Sequence, residues 1–187
     1  MTEQEFLAVV MSNPVNRAIA TRLGAMGLND AWLVSGALFQ TVWNLQSGKM
    51  PGHGIRDYDI IYFDTDTSWA AEDRAIASAK AACADLRVEV EVRNQARVHL
   101  WYEEKFARPY PPLQSAAEGI DRFLMTCAQV GIRPRIGGFE TYAPHGFEDI
   151  AGMIVRPNHT PNFDAARYLE KAERWKHQWP DLTILPP

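Results

Sequence analysis

Cysteine, basic surplus and long apolar runs are all scarce in this chain, and each shortage removes a class of protein. The two cysteines, Cys83 and Cys127, lie far apart and in no C-x-x-C spacing. That excludes a disulfide scaffold and reads as two reduced, buried thiols. Nineteen Lys and Arg against 23 Asp and Glu give a formal net charge of -4. A protein that coats nucleic acid needs a general positive surplus, so nucleic acid is an unexpected partner, although a local basic patch is compatible with this balance. No apolar stretch approaches the ~18 residues of a membrane span. The start, Met-Thr-Glu-Gln-Glu, lacks the basic opening of a signal peptide. The expectation is a cytoplasmic protein without a membrane partner. His99, His145 and His159 share no metal-ligand spacing, so zinc is not expected. Repeats and low-complexity segments are absent.

What is present suits one globular domain. A length of 187 residues can bury a core without staples, and 47% hydrophobic with 22% charged residues is ordinary globular composition. We expect a single domain over 1–187, with its core at about 30–105 and helical additions at both ends.

Periodicity and punctuation outline the elements. Residues 2–11 read as a helix capped by Thr2, with Phe6, Val9 and Val10 as its apolar stripe. Asn13-Pro14 opens a second helix over 14–27, with Ile19, Leu23 and Met26 buried and Gly27 and Asn29 as its stop. Ala31–Val34 suits a buried strand. Residues 37–46 read as a helix with Leu38, Val42 and Leu45 on one face. A loop of turn formers, 47–54, leads to a strand over 57–64 that is apolar on both faces in its second half. Residues 70–85 are Ala-rich and helical. Ser68 can cap them, but the acid of a capping box falls at Glu72 rather than at position 71. Residues 86–92 alternate Arg87, Glu89 and Glu91 with Val88, Val90 and Val92, the period of a half-buried strand. Helices are predicted over 95–105, 115–129 and 163–179. An edge strand or hairpin is predicted over 132–142, around Gly137-Gly138. Phe163, Leu169, Ala172 and Trp175 should point inward from the last helix, and Trp175 and Trp179 share a face that suits core packing. Strands alternating with helices predict an α/β (α+β) fold with a mixed sheet and flanking helices.

Asp57 and Asp59 stand two apart on a predicted strand, so both carboxylates project to one side. Like charges so close repel, and a divalent cation relieves them. Mg²⁺ (or Mn²⁺) suits such hard oxygen ligands and also takes substrate phosphate oxygens. Taken alone, a D-x-D at a strand start also fits a solvated strand end or turn cap. A third carboxylate would come from the next strand, and Glu91 is favoured over Glu89 because Arg93, Asn94, Gln95 and Arg97 follow it. Upstream, Val34-Ser35-Gly36-Ala37 joins a strand to a helix. Gly36 permits close approach by a phosphate, the free N–H groups of the helix start face it, and Ser35 adds a hydroxyl. A plain strand-to-helix turn is the competing reading.

The order strand, glycine turn, helix, loop, D-x-D strand, helix, carboxylate strand resembles the polymerase-beta-like nucleotidyltransferase superfamily. The run Gly36…Gly48…Arg56-Asp57-Tyr58-Asp59-Ile60 is similar in spacing to the CCA-adding and poly(A) polymerase branch. Val42-Trp43-Asn44, Asp57–Asp64, Val92–His99 and Val155-Arg156-Pro157-Asn158, with Trp175 and Trp179-Pro180, resemble a bacterial family of nucleotidyltransferase-like proteins. These segments run from about Trp32 to Pro180. The turn reads Ser-Gly-Ala where the superfamily has Gly-Gly or Gly-Ser, and the helix after it lacks the arginine of CCA-type enzymes.

The resemblance implies transfer of a nucleoside monophosphate from an NTP to an unknown hydroxyl acceptor. Asp57, Asp59 and Glu91 are then the catalytic and metal-binding set, and Ser35, Gly36, Arg56, Arg93 and Arg97 the nucleotide contacts. Arg93, Arg97 and His99 equally suit a salt-bridge network with Glu89, Glu91 or Glu103. Asn94 suits placing Glu91 or capping the helix that follows, with capping preferred. Lys49, His53 and Arg56 lie in or near the loop before the D-x-D strand, where function and a solvated loop both fit, the solvated loop being preferred for His53. Arg133-Pro134-Arg135 is a small basic spot that suits an exposed strand edge more than a phosphate contact. Two other functions share these features: a member that binds nucleotide or a partner without turnover, and a D-x-D glycosyltransferase.

Overall fold

The computed structural model describes residues 1–187. In chain order it contains α1 (Glu3–Val10), α2 (Pro14–Arg22), β1 (Trp32–Val34), α3 (Gly36–Gln46), β2 (Asp57–Tyr62), α4 (Trp69–Cys83), β3 (Glu89–Asn94), α5 (Tyr102–Phe106) and α6 (Ala116–Ile120). Then come β4 (Gly131–Arg135), β5 (Gly138–Tyr142), α7 (Glu148–Ala151), β6 (Ile154–Val155), α8 (Ala165–Gln178) and β7 (Thr183–Ile184). Five strands form one mixed sheet in the order β3-β2-β1-β4-β5, and β6 and β7 pair separately. Strand β1 runs antiparallel to β2 and β4, while β2 and β3 are parallel. A parallel neighbour needs a crossover, and α4 supplies it. The expected mixed sheet with flanking helices is what forms. The sheet extends beyond the expected 30–105 core, because the β4–β5 hairpin lies against β1. Arg133 therefore sits on an interior strand, paired with Asp30 at 2.7 Å and Glu140 at 2.8 Å, and not on an exposed edge.

Local chemistry accounts for the helix starts. Thr2 and Glu5 form a reciprocal capping box at α1. Asn13 caps α2 by accepting from the Val15 N–H at 3.0 Å, with Pro14 in the first turn. Ser68 caps α4 through the Ala71 N–H. Glu72 is not the box acid, since it accepts from the Asn94 N–H and pairs with Arg97.

One sheet face, including Leu33, Tyr58, Ile60, Val90, Val92 and Ile132, closes the main core with Phe6, Ile19, Leu38, Trp43 and Ala79. On the other face Trp32, Val34 and Ile61 pack under Ala116 and Ile120 of α6. Trp175 and Trp179 join the main core beside Phe39 and Trp43, with ring centroids 4.5 to 5.8 Å apart. The Trp179 indole N–H donates to Asn44 at 3.0 Å, and that of Trp43 to the Ile150 carbonyl at 2.9 Å. This aromatic lock seats α8 against α3. Both cysteines are free and buried.

Several expectations fail for identifiable reasons. The predicted helix over 115–129 stops at Ile120. The carbonyls of Asp121, Arg122 and Phe123 accept instead from the side-chain amides of Gln129, Asn158 and Asn162 at 2.8 to 3.0 Å, so they cannot continue a helix. The predicted 95–105 helix begins as a tighter 3₁₀ segment over Gln95–Leu100. Four successive residues there, Gln95 to Val98, are buried. Asn94 caps it through the Ala96 N–H at 3.0 Å. Helix α2 gives way to a 3₁₀ turn at Leu23–Ala25. Gly27 and Asp30, rather than Asn29, then take positive φ. Leu45 and Leu169 are exposed, not inward.

Candidate active site

The register of the parallel pair β2–β3 builds the site. Asp57 lies opposite Glu89, and Asp59 opposite Glu91. Directly opposed residues share a face, so all four carboxylates project from the sheet side that α6 covers only in part. On the other flank of β2, Val34 is opposite Asp59. The turn that follows Val34 therefore runs beside the acidic end of β2. The sequence spacing alone left open which carboxylates meet; the register brings Asp59 and Glu91 into adjacent positions.

Ser35 occupies φ 57°, ψ -121°, a strained conformation for any residue with a Cβ. The first glycine of a Gly-Gly turn would hold it without that cost. Helix α3 has no side-chain cap. The Gly36 and Ala37 N–H groups donate to nothing else in the protein and point out of the helix start. A Cβ on Gly36 would lie 2.9 Å from the Gln40 Nε2, so the glycine lets Gln40 fold back over the turn.

Asp59 carries the clearest electrostatic signature. Its carboxyl is pushed up to about 7, first by burial and then by the charges of Asp57 and Glu91, against the opposing pull of Lys171 and Arg93. A carboxylate pair under this repulsion fits a hard divalent cation. No group of three or more His, Cys, Asp or Glu side chains is arranged to hold a metal ion. Glu91 meets the Arg93 guanidinium at 3.4 Å.

Two clefts open on either side of the pair. One, of about 430 Å³, is lined by Asp57, Arg56, Gln40, Arg174 and His177. The other, of about 330 Å³, holds Asp59, Glu91 and Arg93 and runs under α8. Arg56 and Arg93 thus stand with the carboxylates as expected. Arg97 does not. Its guanidinium is buried, pairs with Glu72 at 2.8 Å, stacks on Trp69 at 4.1 Å and donates to the Thr67 carbonyl. It fastens the 3₁₀ segment to α4. Lys49 reaches the Gln178 carbonyl and ties its loop to α8.

The sequence reading missed the basic face of α8. Arg167, Lys171 and Arg174 are spaced four and three apart and so share one helix face. Arg174 enters the first cleft, and Arg167 and Lys171 the second. Burial lowers the Lys171 pKa, as does repulsion from Arg167 and Arg174, against the opposing charges of Asp59 and Asp57. The three residues are plain in the sequence, but a basic helix face ordinarily reads as solvated surface, and only packing shows that it overlooks the clefts.

Comparison with known proteins agrees with this geometry. A family model described as Nucleotidyltransferase matches residues 21–184. A solved structure titled "The NMR structure of the protein reveals a CCA-adding enzyme head domain" superposes with a TM-score of 0.76 at 28% identity, covering 100% of this chain and 97% of that one. No curated relative matches the chain.

Proposed function

Because the chain belongs to the nucleotidyltransferase family whose model spans residues 21–184, we propose that it moves a nucleoside monophosphate from an NTP to a hydroxyl acceptor with the help of Mg²⁺ or Mn²⁺. Asp57 and Asp59 hold the cation, which when bound neutralises phosphate charge at the reacting centre. The Gly36 and Ala37 N–H groups and the Ser35 hydroxyl bind phosphate oxygens at the start of α3. Arg56 and Arg174 add charge on the same side, in the cleft that Gln40 shares with Asp57. Glu91, in register with Asp59, takes the acceptor proton. The acceptor oxygen bonds to the α-phosphorus as its bond to the bridging oxygen breaks, and pyrophosphate leaves. The observation that carries this reading is the register that sets Asp59 between Val34, where the phosphate turn begins, and Glu91.

A second reading has its own support. Glu91 is engaged by Arg93 and the three carboxylates do not close on one point. That arrangement also suits a member that binds nucleotide without turnover. Glycosyl transfer, the other D-x-D chemistry, is set aside by the family.

Calorimetric titration of each NTP with and without Mg²⁺ tests the reading. The native chain should bind at least one NTP only with Mg²⁺, and Asp57→Asn/Asp59→Asn should abolish that binding. Mg²⁺-independent binding, or none, would sink the metal assignment. Pyrophosphate release then separates turnover from binding alone.

A further inference from the structure

The cleft beneath α8 is rich in cations. In a chain of net charge -4, it gathers five cations, Arg93, Lys105, Arg122, Arg167 and Lys171, around only two carboxylates, Asp59 and Glu91. The cations come from β3, α5, the turn after α6, and α8, so distant stretches of chain converge on one volume. Lys105, Arg122 and Lys171 have no carboxylate within ion-pair distance. Arg167 is held in place rather than free: its guanidinium lies 3.7 Å from the Phe106 ring centre and donates to the Tyr102 hydroxyl at 3.0 Å. Clustered cations repel one another, and an arrangement with more cations than carboxylates is relieved by an anion.

Its position gives that anion a role. Gln40, whose side chain folds back to Gly36, lines the other cleft together with Asp57. Glu91, the proton acceptor of the reading above, lines the cationic cleft and not the first one. We propose, on the basis of that reading, that the cleft beneath α8 is the acceptor subsite and that it takes a small hydroxyl compound carrying a phosphomonoester. A volume of about 330 Å³ suits a sugar-phosphate-sized molecule. Arg122 and Lys105 hold its phosphate, Lys171 and Arg167 line the approach from α8, and its hydroxyl faces Glu91. In the reaction that hydroxyl gives its proton to Glu91 and its oxygen to the α-phosphorus, and pyrophosphate departs on the far side of β2.

The test is calorimetric titration of the full chain with ribose 5-phosphate, glycerol 3-phosphate and inorganic phosphate, against ribose and glycerol as neutral controls. Each titration is made alone and with the protein saturated by Mg²⁺ and the NTP that binds it. At least one phosphorylated probe should bind with the NTP in place, and the neutral compounds should not. Lys105→Ala/Arg122→Ala should lose at least about tenfold in probe affinity while keeping its NTP affinity, which also reports that the variant is folded. Arg56→Ala/Arg174→Ala should show the reverse pattern. If NTP binds and no phosphorylated probe does, the acceptor assignment falls while the nucleotidyltransferase reading stands. Displacement of the probe by NTP also overturns it, because the cleft is then part of the nucleotide site. If probes bind and no NTP does, the reading itself fails and the acceptor role goes with it.

Discussion

Asp59 is held where its charge is least welcome. Its carboxyl moves from 3.8 to about 7 on folding. Between those values the folded chain keeps a proton that the unfolded chain has released, so stability falls as pH rises through that window, and above it the penalty is complete. In metal-free protein at pH 8, Asp59→Asn should therefore unfold at a higher temperature than the native chain. At pH 3 the two should differ little. Adding Mg²⁺ at pH 8 should raise the native melting temperature and leave the variant unmoved. A native chain already as stable as the variant at pH 8 would remove the electrostatic argument. Ser35 tells a similar story in the backbone, since positive φ at a residue with a Cβ is a cost borne at the turn into α3. The pairing of Asp57 and Asp59 was legible at this scale because strand alternation is local. The burial of Arg97 was not, because its partners Glu72 and Trp69 belong to a different helix.

The element that decides most is α8. Its apolar side, Tyr168, Ala172 and Trp175, is buried, and its basic side overlooks both clefts. Aromatic packing is what holds the cations in place. Trp175→Ala should cost roughly 3–5 kcal/mol of stability, read from denaturant midpoints. It should also weaken NTP binding more than an equal destabilisation elsewhere, because Arg174 adjoins it on the helix. Unchanged NTP affinity in a folded Trp175→Ala chain would detach the helix from the site. Elements with a regular local period, α1, α3, α4 and α8, could be placed from the sequence to within a turn. The 115–129 segment could not, since its carbonyls are claimed by Asn158 and Asn162, side chains some 35 to 40 residues downstream.

At the scale of the whole molecule, the hairpin β4–β5 and helix α8 share one core with the early strands. Ile132, Trp175 and Trp179 pack in the same cluster as Phe6, Leu38 and Ile60. The chain should therefore unfold as one unit, with coincident transitions by far-UV circular dichroism and tryptophan fluorescence. Two separated transitions would show that the C-terminal part folds independently. No helix is long and apolar enough to cross a membrane.

The sequence alone determined the mixed α/β character, the strand bearing Asp57 and Asp59 and the turn at Ser35-Gly36, because each depends on neighbours within a few positions. Tertiary structure decided which carboxylate stands beside Asp59, that Arg97 is spent on Glu72, and that cations from four separate stretches meet under α8. Those outcomes depend on strand register and helix packing. Both are settled by contacts between residues far apart in the chain, which no local period encodes.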